Sequence, residues 1–145
     1  MRSNRFFLFL VFILNLIILN SCEQSFVSSP EDCLNYDYSD CNTKEPFLVP
    51  LNIKLTINDE NPRVPLIIYK GKLDDNNIVI KDSVTLESYS VMLDPDNYYT
   101  VKARYISGND VIYAVGGDNV KKIRNQVCDS ICWTTQEGNV NVKLK

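Results

Sequence analysis

After residue 47 the chain alternates apolar and polar positions with a period of two. Val49, Leu51, Ile53, Leu55 and Ile57 take one parity, and Pro50, Asn52, Lys54, Thr56 and Asn58 take the other. Successive strand side chains point to opposite faces, so this pattern predicts a half-buried β-strand. Tyr99, Val101, Ala103 and Tyr105 against Thr100, Lys102 and Arg104 predict another. Val140, Val142 and Leu144 against Asn139, Asn141, Lys143 and Lys145 predict a strand that runs to the last residue. Weaker runs at 64–70, 78–81, 84–93 and 111–115 bring the total to about seven. The 84–93 run changes phase, from Val84 and Leu86 to Tyr89, Val91 and Leu93, which predicts a bulge near Glu87-Ser88. Clusters of Asn, Asp and Gly at 58–62, 74–77, 94–97, 107–110 and 116–118 read as the turns between them. With no helical-period segment after residue 22 and no internal repeat, the expected fold is an all-β, two-sheet sandwich.

The head of the chain follows a different pattern. Arg2 and Arg5 precede an apolar run at 6–19 that only Asn15 interrupts. At 1.5 Å per helical residue the run spans about 21 Å, short of a ~30 Å hydrocarbon core and suited to a signal-peptide apolar region. It closes on Leu19-Asn20-Ser21-Cys22, which resembles a bacterial lipobox. That resemblance implies cleavage between Ser21 and Cys22, a diacylglycerol on the Cys22 thiol and a further acyl chain on the new amine. Several acyl chains, at about 0.8 kcal/mol per buried CH₂, make such an attachment effectively permanent. Glu23, where inner-membrane retention favours Asp, points to the outer membrane over the inner. The competing reading is an ordinary signal peptide or uncleaved anchor with Cys22 incidental. The expected organisation is a signal peptide at 1–21, a lipidated polar tether at 22–46 and a sandwich domain at 47–145.

Cysteine parity bears on the choice. The chain has five cysteines, and setting Cys22 aside leaves Cys33, Cys41, Cys128 and Cys132. An even set suits an oxidising compartment, and neither Cys33-x7-Cys41 nor Cys128-x3-Cys132 has the spacing of a structural zinc knuckle. Two disulfides are therefore expected, and no metal. Turn-like polar residues around each couple favour local pairing, while pairing across the chain would close a much longer loop and stabilise more by loop entropy.

Composition then narrows the chemistry. There is no His, which excludes Ser-His-Asp and Cys-His nucleophilic sites and His-ligated metals. The formal charge is −3, and losing Arg2 and Arg5 with the signal peptide makes the mature chain more acidic. With no basic cluster larger than Lys121-Lys122, nucleic acid is not an expected partner. Asx-rich turns at 74–77, 94–97 and 118–119 could gather calcium at one end of a sandwich, but Asp and Asn also serve such turns without a metal. No pair of carboxylates stands out for glycoside hydrolysis. Tyr99 and Tyr105 share the apolar parity of their strand, Tyr69 and Tyr113 sit in buried-looking runs, and Trp133 is placed to cover a disulfide.

The stretch Val64-Pro65-Leu66-Ile67-Ile68-Tyr69-Lys70-Gly71, followed by Val91-Met92-Leu93-Asp94-Pro95-Asp96-Asn97-Tyr98-Tyr99-Thr100-Val101-Lys102-Ala103, resembles the prealbumin-like or carboxypeptidase-regulatory sandwich, an immunoglobulin-like architecture. Cys128-Asp129-Ser130-Ile131-Cys132-Trp133 and the final strand are similar to the ends of small envelope lipoproteins of Gram-negative bacteria. The resemblance implies a fold and a setting; it implies no catalytic residue and no cofactor. The expected function is that of a lipid-anchored, non-catalytic accessory or interaction module of the cell envelope, meeting the membrane through its acyl chains and an envelope protein or glycan through its surface. The alternatives are a glycan- or peptide-binding lipoprotein using exposed Tyr and Trp133, and an envelope hydrolase. The last strand is also an edge open to strand addition by a partner, unless Lys143 and Lys145 guard it.

Overall fold

The computed structural model describes Cys33, Leu34 and residues 36–144. The expected signal peptide, the Leu19-Asn20-Ser21-Cys22 motif and Glu23 lie outside the described residues. The chain divides into two compact units, Met1–Leu34 and Asn35–Lys145. Of the first, Cys33 and Leu34 are helical. The second is the β-sandwich.

Its strands are β1 (Val49–Lys54), β2 (Val64–Lys70), β3 (Ile78–Val84), β4 (Ser88–Leu93), β5 (Asn97–Ser107), β6 (Asp110–Val127), β7 (Ser130–Gln136) and β8 (Gly138–Asn141). They form a three-stranded sheet in the order β4-β1-β8 and a five-stranded sheet in the order β3-β2-β5-β6-β7. All pairings are antiparallel except β1 with β8, which runs parallel with Ile53 opposite Val140. The expected all-β two-sheet sandwich is the observed fold, with eight strands in the described residues.

The period-two residues supply the core. Val49, Leu51, Ile53 and Leu55 from the small sheet meet Leu66, Ile68, Tyr99, Val101, Ala103 and Tyr105 from the large one, all buried. Tyr105 reaches across: its hydroxyl donates to the Val142 carbonyl at 2.7 Å and accepts from the Thr56 N–H at 3.2 Å. Tyr99 donates to the Asp94 carbonyl at 2.9 Å, in the connection between β4 and β5. β8 ends at Asn141, short of the strand expected to run to the last residue; the segment beyond it still follows β1, with the Val142 N–H on the Lys54 carbonyl at 3.0 Å and the Leu144 N–H on Thr56 Oγ1 at 2.9 Å.

Three local expectations are corrected. The phase change after Val84 is a sheet crossing, because β3 belongs to the large sheet and β4 to the small one. A strand that swaps sheets must present its other parity to the same core, which a sequence reader sees as a bulge. A register shift does occur between Ile68 and Tyr69, against β3. Gly116-Gly117-Asp118 is not a turn but the middle of β6. Gly116 lies where a Cβ would come 3.0 Å from Val140 Cγ1, and a Cβ on Gly117 would run into the Tyr98 ring and come 2.7 Å from the Tyr99 carbonyl oxygen. These glycines therefore permit close approach, as strand glycines often do. Tyr113, expected to be buried, is 53% exposed, because its parity faces away from the core.

Candidate functional site

Two features stand out at the β6–β8 side of the sandwich. The first is a covalent staple. The second half of β6 pairs with β7 as a hairpin, Lys121 opposite Gln136 through Val127 opposite Ser130. Its two-residue turn holds Cys128 at φ 52°, a left-handed conformation uncommon for a non-glycine residue. Cys41 is disulfide-bonded to Cys132 of this hairpin, across a sequence separation of 91. Cys33 and Cys128 are each in a disulfide too. Local pairing is thus overturned, since a Cys41–Cys132 bond leaves neither couple intact. The polar residues around each couple do form turns, but turn chemistry says nothing about which distant segment lies beside them.

Beyond Cys41 the chain runs along β7. The Trp133 N–H donates to the Asn42 carbonyl at 2.8 Å, and Glu45 pairs with Lys122 Nζ. That carboxylate holds the Lys122 ammonium above its ordinary pKa, chiefly through the hydrogen bond. Lys122 Nζ also lies 5.7 Å from the Trp133 ring centroid. Trp133 does not cover the disulfide: as Cys132's neighbour in a strand it faces the opposite side. The hairpin was poorly legible because residues 121–131 are largely exposed on both faces, so no apolar parity marks it.

The second feature is a groove between the first half of β6 and the segment that follows β8. It has a volume of about 310 Å³ and is lined by Ile112, Ala114 and Val115 on one wall and Val142, Lys143 and Leu144 on the other. Over the outer face of the large sheet, Lys102 Nζ sits 4.2 Å from the Tyr113 ring centroid, and Arg104 lies opposite Tyr113 in the ladder. Pro65, Ile67, Lys102, Arg104 and Tyr113 together line a shallower depression of about 180 Å³.

The acidic turns are occupied by the fold itself. Asp96 accepts the Lys122 N–H at 3.2 Å, and Asp118 accepts the N–H groups of Asn119 and Asn139, both at 2.8 Å. Asp75 accepts the Lys72 N–H at 2.7 Å. Among the described residues no cluster of three or more Asp, Glu, Cys or His has metal-binding geometry. On the opposite side of the sandwich the Tyr89 hydroxyl of β4 donates to Asp82 of β3 at 2.7 Å, bridging the two sheets. That bond, with the Ser83 N–H, holds the Asp82 carboxyl below its ordinary pKa. It also raises the Tyr89 phenol.

No protein-family model, curated protein or solved structure matches the chain.

Proposed function

We propose that this chain is a lipid-anchored β-sandwich of the bacterial cell envelope that serves as a non-catalytic interaction module. Cysteine pairing carries the reading. Cys33, Cys41, Cys128 and Cys132 are all disulfide-bonded, a state that oxidising compartments outside the cytosol sustain. Cys22 is the remaining one of the chain's five cysteines, and it stands where the lipobox resemblance calls for the acylated residue. An anchored domain with a stapled hairpin and an apolar groove suits a protein that holds a partner near a membrane. A glycan platform would need open aromatic faces, whereas Trp133 and Tyr113 each carry a lysine ammonium on one face.

Fractionation of cells making the wild type and Cys22→Ser tests the reading, together with a photo-crosslinking residue placed at Tyr113. The wild type is expected in the membrane fraction through high-salt washing and Cys22→Ser in the soluble fraction. The crosslinker is expected to capture a discrete envelope protein. Equal membrane attachment of Cys22→Ser would overturn the anchor, and a crosslinker that captures nothing would overturn the interaction role.

A further inference from the structure

β6 is one strand with two differently treated halves. Along Lys121 to Val127 its outer edge is covered by β7. Along residues 111–117, among the described residues, that same edge has no strand partner, and only the inner edge pairs, with β5. The hairpin geometry tells which groups are left over. The Gly108-Asn109 turn has Gly108 at φ 59° and makes Ser107 and Asp110 the first ladder pair. In a two-residue hairpin that flanking pair exchanges both backbone bonds, and hydrogen-bonded pairs then alternate along the ladder. The N–H and C=O groups of Ile112, Ala114 and Gly116 are therefore spent on β5. Those of Val111, Tyr113, Val115 and Gly117 point outward, in the parity that β7 uses further along.

Exposed edges usually carry a charge, a proline or a cover that discourages pairing. This one carries none in its sequence: from Val111 to Gly117 there is neither a charged residue nor a proline. Val111, Tyr113 and Val115 are exposed. Lys143, the guard expected from the sequence, directs its ammonium to Glu87 Oε2 at 3.6 Å. The opposite side of the sandwich is managed differently, by the Asp82–Tyr89 bridge.

The surroundings specify an occupant. A strand laid on this edge would point alternate side chains into the groove, against Ile112, Ala114, Val142 and Leu144. Its other side chains would stand on the outer face beside Tyr113, where Lys102 and Arg104 supply positive charge and no carboxylate intervenes between Asp110 and Asp118. Apolar residues fit the inner positions and acidic residues the outer ones.

We propose that the outer edge of β6 at residues 111–117 accepts an extended segment of a partner protein by β-strand addition, with apolar side chains in the groove alternating with acidic ones over Tyr113, Lys102 and Arg104. This rests on the interaction role above and names the partner's chemistry. Main-chain bonds supply affinity in such a mode, and the alternate side chains supply selectivity.

The test is amide hydrogen exchange on the full chain, alone and with a short capped peptide of alternating valine and glutamate. In the free protein the amides of Val111, Tyr113, Val115 and Gly117 exchange fast, and the peptide protects them saturably. Val115→Pro removes one outward N–H at an edge where proline is tolerated. It is expected to weaken binding about tenfold while leaving the disulfides and the melting temperature nearly unchanged. A valine–lysine peptide is expected to bind at least about tenfold more weakly than the glutamate one. Absence of protection up to millimolar peptide overturns the proposal, as does unchanged binding by Val115→Pro. Equal binding of both peptides overturns the acidic assignment. Edge amides already protected in the free monomer would mean that the chain covers its own edge; protection that grows with protein concentration would identify a second copy as the occupant. Either result overturns the partner assignment. None of these outcomes touches the fate of Cys22, so failure here is distinguishable from failure of the anchor.

Discussion

Replacing Tyr105 by Phe removes one oxygen from the middle of the sandwich, and the geometry sets its cost. The hydroxyl is a donor to the Val142 carbonyl at 2.7 Å and an acceptor from the Thr56 N–H at 3.2 Å. Val142 is buried at 1% exposure, so its carbonyl loses this partner where water has little access, a cost of about 1–3 kcal/mol. The Thr56 N–H is half-buried and can be partly rehydrated, adding about 0.5–1 kcal/mol. The ring still fills its site, so no cavity term arises, and the expected destabilisation is about 2–3 kcal/mol. For a domain of this size that lowers the melting temperature by roughly 8–12 °C. Tyr99→Phe is the internal comparison: its hydroxyl serves the carbonyl of exposed Asp94, which water can satisfy, so its cost is about 1 kcal/mol. Urea unfolding of both variants, disulfides intact, gives the ordering directly. Hydrogen exchange should also show the Val142 and Leu144 amides opening first in Tyr105→Phe, because that hydroxyl ties the C-terminal segment to the large sheet. If Tyr105→Phe costs no more than Tyr99→Phe, the inter-sheet tie is not a stability determinant.

Gly117→Ala is expected to destabilise by about 1–3 kcal/mol, since the new Cβ meets both the Tyr98 ring and the fixed Tyr99 carbonyl; thermal unfolding showing no loss would mean that β6 moves freely there. The Asp82–Tyr89 bridge gives a pH signature. Asp82 has a depressed folded pKa, so its contribution is present above the ordinary carboxylate range and is lost as pH falls through the folded value. Tyr89→Phe should raise the Asp82 pKa towards its ordinary value in an NMR titration, and an unmoved titration would show that the hydrogen bond is not its main cause.

The strands with one wet face were readable because burial imposes a parity on them: β1, β5 and β8 follow the alternation from Val49, Tyr99 and Val140. Where burial imposes nothing, the pattern vanishes. The second half of β6 and all of β7 stand beyond the core, and only Cys132 among residues 121–136 is buried. Glycines also mislead, since the same residue serves a turn at Gly108 and a close approach at Gly117. Pairing of the cysteines depends on where residues 41–45 lie, along β7, and that placement is made by main-chain bonds such as Trp133 N–H to Asn42. Main-chain contacts leave no trace in side-chain identity. The open edge needed both the strand order and the length of β6; the uncharged run from Val111 to Gly117 was its only signal in the sequence.

The central claim, an acylated and fully disulfide-bonded envelope protein, is tested most directly by intact mass of the protein purified from its native membrane, before and after reduction. The account predicts a chain beginning at Cys22 that carries acyl groups, gaining the mass of four protons when its two disulfides are reduced. Peptide mapping of the unreduced protein should link Cys41 to Cys132. A chain without lipid would contradict the anchor, and free thiols or a Cys128–Cys132 link would contradict the staple.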